Sequence, residues 1–395
     1  MESIREIYKI GQGPSSSHTM GPAKASRMFI SKYPNAKYYK VYLYGSLAAT
    51  GKGHLTDVAI EREFNDRPIE ILWEPKVFLP KHPNAMRFEA YANDDKLIAN
   101  WTAFSIGGGA VIDDDTNNET HEVYPEHTMN EVMAYCQENG LQLWEYVFEK
   151  EGEDIKDFLM EIWKVMQQSI ADGLNEEGVL PGGLKLARKA SSYMAKARNY
   201  SGVIKQNSII FAYALAVSEQ NAAGGTIVTA PTCGACGVIP AILKFYKKAN
   251  EYTDKRIIKA LATAGLIGTM VKSNASISGA EVGCQGEVGT ACAMASGAVT
   301  QLLGGSIHQV EYAAEMGLEH HLGLTCDPVK GLVQIPCIER NAFAAARVQN
   351  HSAFALMSDG THRISFDQVV KTMMKTGLDL NSNYKETSEG GLALC

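Results

Sequence analysis

The sequence predicts two architectures in series, an α+β domain at the N-terminus and an all-α domain behind it. Three observations carry this. The first 125 residues mix strand-like alternation with helical stretches. From Ile155 onward apolar residues recur at helical spacing, with many Ala and Gly among them. Convincing strand patterns are scarce over that second span, and neither an internal repeat nor a low-complexity tract breaks it.

Residues 11–22 read Gly-Gln-Gly-Pro-Ser-Ser-Ser-His-Thr-Met-Gly-Pro. The flanking Gly and Pro residues make this a loop. Its hydroxyls are placed to cap a helix expected over Ala23–Tyr33, whose first N–H groups would suit an anion such as a carboxylate. The plainer alternative is a capped loop with a surface histidine. Tyr39–Leu43 alternates and is β-prone, so a strand is expected. It feeds Tyr44–Asp57, which superficially looks like a phosphate loop. Five residues, not four, separate Gly45 from Gly51, and Lys52 is followed by Gly, so nucleotide binding is rejected. A flexible loop displaying Lys52, His54, Thr56 and Asp57 remains.

Ala85–Ala90 and Lys96–Phe104 read as strands joined by a turn at Asn93-Asp94-Asp95. Ser105–Gly109 offers backbone that can approach a neighbour closely. Asp113–Thr120 is expected to be a solvated acidic loop, and Asn130–Lys150 a helical connector. Ile155, Phe158, Leu159, Ile162, Trp163, Met166 and Ile170 then form one helical stripe that ends near Gly173. Further helices are expected at Ser208–Glu219, Ile239–Ala249, Lys255–Val271, Gly289–Leu303, Ile307–Glu319 and Arg340–Leu356.

The composition, 45% hydrophobic and 21% charged, is ordinary for a globular chain able to bury a core. A net charge of −7 argues against a nucleic-acid surface, which needs clustered Lys and Arg. No span reaches the roughly 18 apolar residues of a membrane helix, and the acidic start Met1–Glu6 has no signal-peptide pattern. A cytoplasmic location is therefore expected, where thiols stay reduced. The eight cysteines then read as metal-binding, catalytic or core residues, not disulfides.

Cys233-Gly234-Ala235-Cys236 is the most obvious pair, yet no second CxxC and no nearby HxxxH completes a zinc site. Cys136 and Cys292 lie in helical patterns and read as small core residues. Cys284, Cys326 and Cys337 are spaced C-x41-C-x10-C, each beside a Gly or Pro that turns the chain. Such sites suit a thiolate aimed at a metal. A four-iron cluster held by three cysteines leaves one iron open, and an open iron can act as a Lewis acid toward a hydroxyl. Dehydrating a hydroxy acid also needs a base for the α-proton, which a histidine supplies near neutral pH. His18 and His54 are the candidates.

Gly-Pro-Ser-Ser-Ser-His-Thr at 13–19, Tyr-Gly-Ser-Leu-Ala at 44–48 and Gly-Lys-Gly-His at 51–54 resemble the β domain of the iron–sulfur-dependent L-serine dehydratases (L-serine ammonia-lyases). Leu180–Leu184, Asn221–Gly225, Ser273–Ser278, Gly283–Gly289, Leu324–Pro328 and Gln334–Asn341 resemble their α domain. The match runs nearly end to end, in order, in one chain. It implies a β domain over 1–128, a helical connector over 129–152 and an α-helical catalytic domain over 153–395. The β domain in turn resembles the allosteric substrate-binding domains of some phosphoglycerate dehydrogenases. The resemblance implies deamination of L-serine to pyruvate and ammonia through a [4Fe-4S] cluster on Cys284, Cys326 and Cys337, in a homodimer. Two departures stand out. Thr232-Cys233-Gly234-Ala235 replaces the usual Thr-Asn-Gly-Ala, and the region after Asp57 is shorter than in longer members.

Within that frame, His54 is the expected α-proton base, with His18 placing the β-hydroxyl or exchanging roles and Lys272 a further candidate. Ser15, Ser16, Ser17 and Thr19, together with Asn274 and Ser276, are expected to orient the carboxylate and amine. The chain ends Gly390-Gly391-Leu392-Ala393-Leu394-Cys395. A terminal cysteine carries an α-carboxylate and a β-thiol, as serine carries an α-carboxylate and a β-hydroxyl. Cys395 is thus expected to occupy the open iron at rest; the plain alternative is a frayed terminus. A pyridoxal phosphate mechanism is rejected for want of a Schiff-base lysine segment. Cysteine desulfidation, or a non-catalytic iron–sulfur or serine sensor, are the remaining alternatives.

Overall fold

The computed structural model describes residues 1–114 and 122–395. Its N-terminal part contains β1 (Ile10–Gln12), α1 (Gly21–Lys32), β2 (Tyr38–Tyr44), α2 (Gly45–Ala49), α3 (Thr56–Phe64), β3 (Ile69–Glu74), β4 (Ala85–Tyr91), β5 (Leu97–Ser105) and β6 (Val111–Asp113). Five strands form one mixed sheet in the order β3-β2-β4-β5-β6, with only β2 and β3 parallel. The alternation of β2 decides its faces: Tyr39, Val41 and Leu43 are buried and their neighbours half-buried. These three join Phe29 of α1, Ile60 and Phe64 of α3, and Phe88 of β4 in one apolar core.

The helical part comprises α4 (Met129–Asn139), α5 (Leu143–Glu151), α6 (Ile155–Asn175), α7 (Ala190–Lys196), α8 (Gly202–Ala222), the short β7 (Thr226–Val228), α9 (Val238–Ala249), α10 (Asp254–Asn274), α11 (Gly279–Val282), α12 (Thr290–Leu302), α13 (Ile307–Glu319), α14 (Cys337–Met357) and α15 (Phe366–Asp379). An α+β domain followed by a mostly helical one is what the residue pattern predicts. α10 and α12 are buried along most of their length, which is why they read as apolar all round. No helix among the described residues is long and apolar enough to cross a membrane.

Several local expectations change. The 130–150 stretch is two helices, because Gly140 takes a left-handed φ of 67° and Gln142 and Glu145 cap a new start. Tyr44–Asp57 is not an open loop: α2 fills its beginning and α3 starts at Thr56. Lys52 is exposed there, but His54 and Thr56 are fully buried. Asp113 ends a strand, and residues 115–120 of the expected acidic loop lie outside the described residues.

The two parts are stitched by the chain's start. Met1, Ile4, Ile7 and Tyr8 are buried in the helical core together with Val132, Tyr146 and Trp163. β1 then pairs antiparallel with β7, Ile10 opposite Val228. The chain therefore enters the helical core before it builds the sheet.

Candidate active site

The Ser-Ser-Ser-His motif folds into a wide, π-helical turn, Ser16–Met20, leading into α1. Ser15 Oγ caps it by accepting from the His18 N–H at 3.1 Å. Thr19 donates its hydroxyl to the His54 carbonyl at 2.7 Å, and Thr56 donates to the His18 carbonyl at 2.6 Å. The two histidine loops are thus laced to each other. From the helical part, the Asn221 amide donates to the Pro14 carbonyl at 2.8 Å.

The hydrogen-bond network assigns the tautomers. His18 Nε2 lies 3.1 Å from the Ser46 carbonyl, which only accepts, so Nε2 carries the proton. His18 Nδ1 then accepts, and the Ser17 hydroxyl stands 2.9 Å from it. The Thr50 hydroxyl donates to the Ser46 carbonyl, so at 3.1 Å it accepts from His54 Nδ1–H. That leaves His54 Nε2 with a bare lone pair and no hydrogen-bond partner. Burial lowers the pKa of both rings, His18 to about 4 and His54 well below its usual value.

The cysteines come from three separate places. Cys284 follows α11, Cys326 lies in the segment before α14, and Cys337 opens α14. All three are buried. Glu287 Oε2 lies 3.9 Å from the sulfurs of both Cys284 and Cys326. A hydrogen bond from Cys284, and burial, raise the Cys326 thiol pKa; burial and Cys284 raise that of Cys337. Burial opposes the Arg340 charge, but Cys284 and Cys337 raise its pKa, and its guanidinium donates to the Thr325 carbonyl at 2.6 Å.

The C-terminal segment ties the two groups together. The Cys326 N–H donates to the Tyr384 carbonyl at 2.8 Å and the Glu386 N–H to the Cys326 carbonyl at 2.7 Å. The Ser46 hydroxyl donates to the Glu386 carbonyl at 3.0 Å. Glu386 Oε1 stands 3.6 Å from His18 Nδ1 and 3.8 Å from His54 Nε2. Burial pushes both Glu287 and Glu386 up to about 8, Glu386 adding to Glu287 and Cys284 adding to Glu386. A cavity of about 690 Å³ lies behind the histidine loops, lined by Thr19, Lys24, Leu55 and Arg62, but neither histidine nor any of the three cysteines lines it.

Other expected site residues sit differently. Lys272 is bound to Glu2 at 2.6 Å. Asn274 is exposed and donates to the His127 carbonyl at 2.7 Å. Ser276 is buried, accepts from the Ser278 N–H at 3.1 Å, and sets its carbonyl against Gly286 in the turn after Cys284. Cys395 is exposed at the end of the turn Gly391–Leu394, whose Leu392 N–H donates to Asp327 at 2.7 Å. Cys233 and Cys236 are buried, with Cys233 Sγ 3.4 Å from Met20 Sδ. Cys136 and Cys292 belong to the helical core. Sequence reasoning missed Glu287, Arg340, Thr50 and Glu386. The first two were findable, each lying three residues after a candidate cysteine.

The donor set fits an iron–sulfur group. All three soft sulfur donors are buried, Cys284 and Cys326 share Glu287 Oε2, and Cys337 is close enough to feel the Cys284 thiol; the wall beside Cys326 is bare, since a β-carbon on Gly279 would stand 3.0 Å from its Sγ. Clustered thiols that resist ionisation gain strongly from a bound cation.

Comparison with known proteins agrees with this architecture. The family model for the serine dehydratase alpha chain matches residues 111–393, and that for the beta chain matches 3–67 and 61–116. The chain belongs to the serine dehydratase family. An L-serine dehydratase of Streptomyces coelicolor is 42% identical over 448 aligned positions, which cover 99% of this chain and 98% of that protein. L-serine dehydratase 1 of Escherichia coli is 41% identical, covering 100% and 99%. An L-serine dehydratase of Helicobacter pylori is 36% identical, covering 99% and 98%. The alignments are longer than the 395-residue chain, so the relatives carry residues absent here. The two beta-chain pieces meet at 61–67, at the end of α3, close to where the region after Asp57 reads as short.

Proposed function

We propose that this chain deaminates L-serine to pyruvate and ammonia. The observation that carries the reading is a buried histidine with a free lone pair, His54 Nε2, linked through Glu386 to a buried three-cysteine group. Full-length similarity to L-serine dehydratases supports the substrate. Cys284, Cys326 and Cys337 would hold a [4Fe-4S] cluster, which supplies a Lewis-acidic iron to the substrate's β-hydroxyl when bound.

The chain's own groups do the rest. His54 Nε2 takes the α-proton, with Thr50 fixing the ring from its other nitrogen. His18 places the β-hydroxyl as it leaves. Lys272 is the weaker base, since Glu2 already holds its ammonium. Ser17 keeps its hydroxyl beside His18, while Ser15 and Thr19 hold the loops; with Ser16, Asn274 and Ser276 they form the proposed carboxylate and amine surroundings. Burial on every side excludes water from the proton transfer. The released aminoacrylate becomes iminopyruvate and hydrolyses to pyruvate and ammonia.

In this reading residues 1–128 form the β domain, 129–152 the connector and 153–395 the catalytic domain of a cytoplasmic homodimer. Cys395 would be the chain's further ligand to the cluster at rest. The bond from Leu392 to Asp327, beside Cys326, supports this by anchoring the tail three residues from its end. The test is anaerobic purification, iron and sulfide counts, and assay of pyruvate release from L-serine and L-cysteine. Serine turnover that is lost in His54→Ala, with the cluster's absorption retained, is expected. A preference for cysteine would make the chain a desulfidase, and cluster without turnover would make it a sensor.

A further inference from the structure

Glu386 carries no sequence signal, yet its main chain joins both halves of the site. Its N–H bonds the Cys326 carbonyl and its carbonyl accepts from Ser46, in the opposite domain. Its φ is +60°, a left-handed conformation that side chains rarely adopt and that glycine or asparagine would fill more easily. A glutamate held there points to a use for its side chain. That side chain is buried, so its direction is set by the site and not by solvent.

The two nitrogens it faces are the two that the network leaves without a proton. His18 spends Nε2–H on Ser46, and His54 spends Nδ1–H on Thr50. Glu386 Oε1 lies 3.6 Å from the unprotonated His18 Nδ1, which Ser17 also bonds, and 3.8 Å from the bare His54 Nε2. The ring centroids are 4.4 Å apart, so one carboxyl group reaches both.

We propose that Glu386 is a positioning residue that faces the space shared by His18 Nδ1 and His54 Nε2 and accepts the hydrogen bond of His54 Nε2–H once that ring is protonated, fixing the imidazolium in place. In the elimination, the α-proton moves to His54 Nε2, and the C–H electron pair becomes the carbon–carbon double bond. The β-carbon–oxygen bond breaks and its pair leaves with the oxygen, which takes the proton back from His54 Nε2 to depart as water. Nothing is oxidised or reduced, and Glu386 ends unchanged. The kinetic part of the inference rests on the serine-deaminating reading; the ring geometry does not.

The test uses the full chain with Glu386→Ala, Glu386→Asp and Glu386→Gln. Three readouts are taken: iron and sulfide content, kcat and KM for L-serine, and imidazole nitrogen signals of the cluster-free protein by NMR. Glu386→Ala is expected to lower kcat at least ~100-fold, the low end of what a lost proton-transfer group costs. KM should stay within a few-fold and cluster content should match wild type, with Glu386→Asp recovering part of kcat. The tautomers, set by Ser46 and Thr50, should persist in Glu386→Ala, while the His18 Nδ1 and His54 Nε2 signals that face the carboxyl group should shift. Wild-type kcat and wild-type ring signals in Glu386→Ala would overturn the proposal. So would cluster loss in all three variants, which marks a residue needed only to hold the tail. So would a stoichiometric divalent ion besides cluster iron that disappears with Glu386. If wild type itself releases no pyruvate from serine, the functional reading fails, and the ring signals still decide the positioning role.

Discussion

Gly53 lies against Gly331, so close that a β-carbon on Gly53 would stand 2.7 Å from the Gly331 carbonyl oxygen. Here the His54 turn meets the segment that ends at Cys337. The histidines and the cysteines belong to different domains, so the site exists only while these two turns touch.

A Gly53→Ala substitution should therefore open the site without unfolding either half. Main-chain oxygen cannot rotate away as a flexible side chain would, and forced overpacking costs about 1–3 kcal/mol. That corresponds to a fall in kcat/KM of roughly 5- to 150-fold. Iron content and thermal midpoint should stay near wild type. Undiminished kcat/KM in Gly53→Ala would show that the turns need not meet.

Serine in place of Cys284, Cys326 or Cys337 should abolish iron binding one residue at a time. Serine in place of Cys233 or Cys136 should leave the iron count unchanged. The Cys233 sulfur sits against Met20, and Cys136 is packed among Met133, Tyr146 and other apolar groups. Iron and sulfide analysis of the five purified variants checks this. Iron lost with Cys233→Ser would bring the CxxC pair back as a ligand source.

The helices and the three turned cysteines were legible because each rests on local spacing or on a local Gly or Pro. The His54 turn reads in sequence as an open display loop, but His18 and Thr19 from the preceding motif and Glu386 from the far end of the chain pack against it. Ser15 and Thr19 advertised hydroxyls for a ligand, yet the structure spends both on backbone groups of the histidine loops. Glu386 was invisible: no periodicity surrounds it, and its partners are Ser46, His18, His54 and Cys326. Long-range convergence leaves no trace in a window of fifteen residues. Nor does sequence order show that Ile4 and Tyr8, at the start of the chain, pack into the helical core.

Stability should fall in acid through histidines that the fold keeps neutral. His351, on α14, is buried against α12, with Nδ1 3.1 Å from the Ser296 hydroxyl and near Cys292. Burial, then His320 and His321, lower its pKa from 6.5 to about 3. Above pH 6.5 the ring is neutral folded or unfolded, so it adds no pH dependence. Below 6.5 the unfolded chain takes up a proton that the folded chain refuses, so stability drops until the folded value near 3. The slope is about 1.4 kcal/mol per pH unit for one such ring. Urea unfolding at pH 6.0 and 5.0 should show a shallower loss in His351→Gln than in wild type. Equal slopes would mean the ring protonates freely in the folded state.

Removing the last residue should change how the enzyme responds to substrate. Cys395 is exposed at the end of its turn, but Leu392 is pinned to Asp327, next to Cys326. Three residues span at most ~10 Å, so the thiol and the terminal carboxylate are confined to a small volume around that anchor. A ligand so tethered competes with free serine at a high effective concentration. Deleting Cys395 should lower the serine concentration needed for half-maximal rate and alter the resting absorption of the cluster, while kcat at saturating serine changes little. Leu394→Ala, which keeps the thiol and the carboxylate, should behave as wild type. Identical serine dependence and identical spectra with and without Cys395 would reduce the tail to a frayed end.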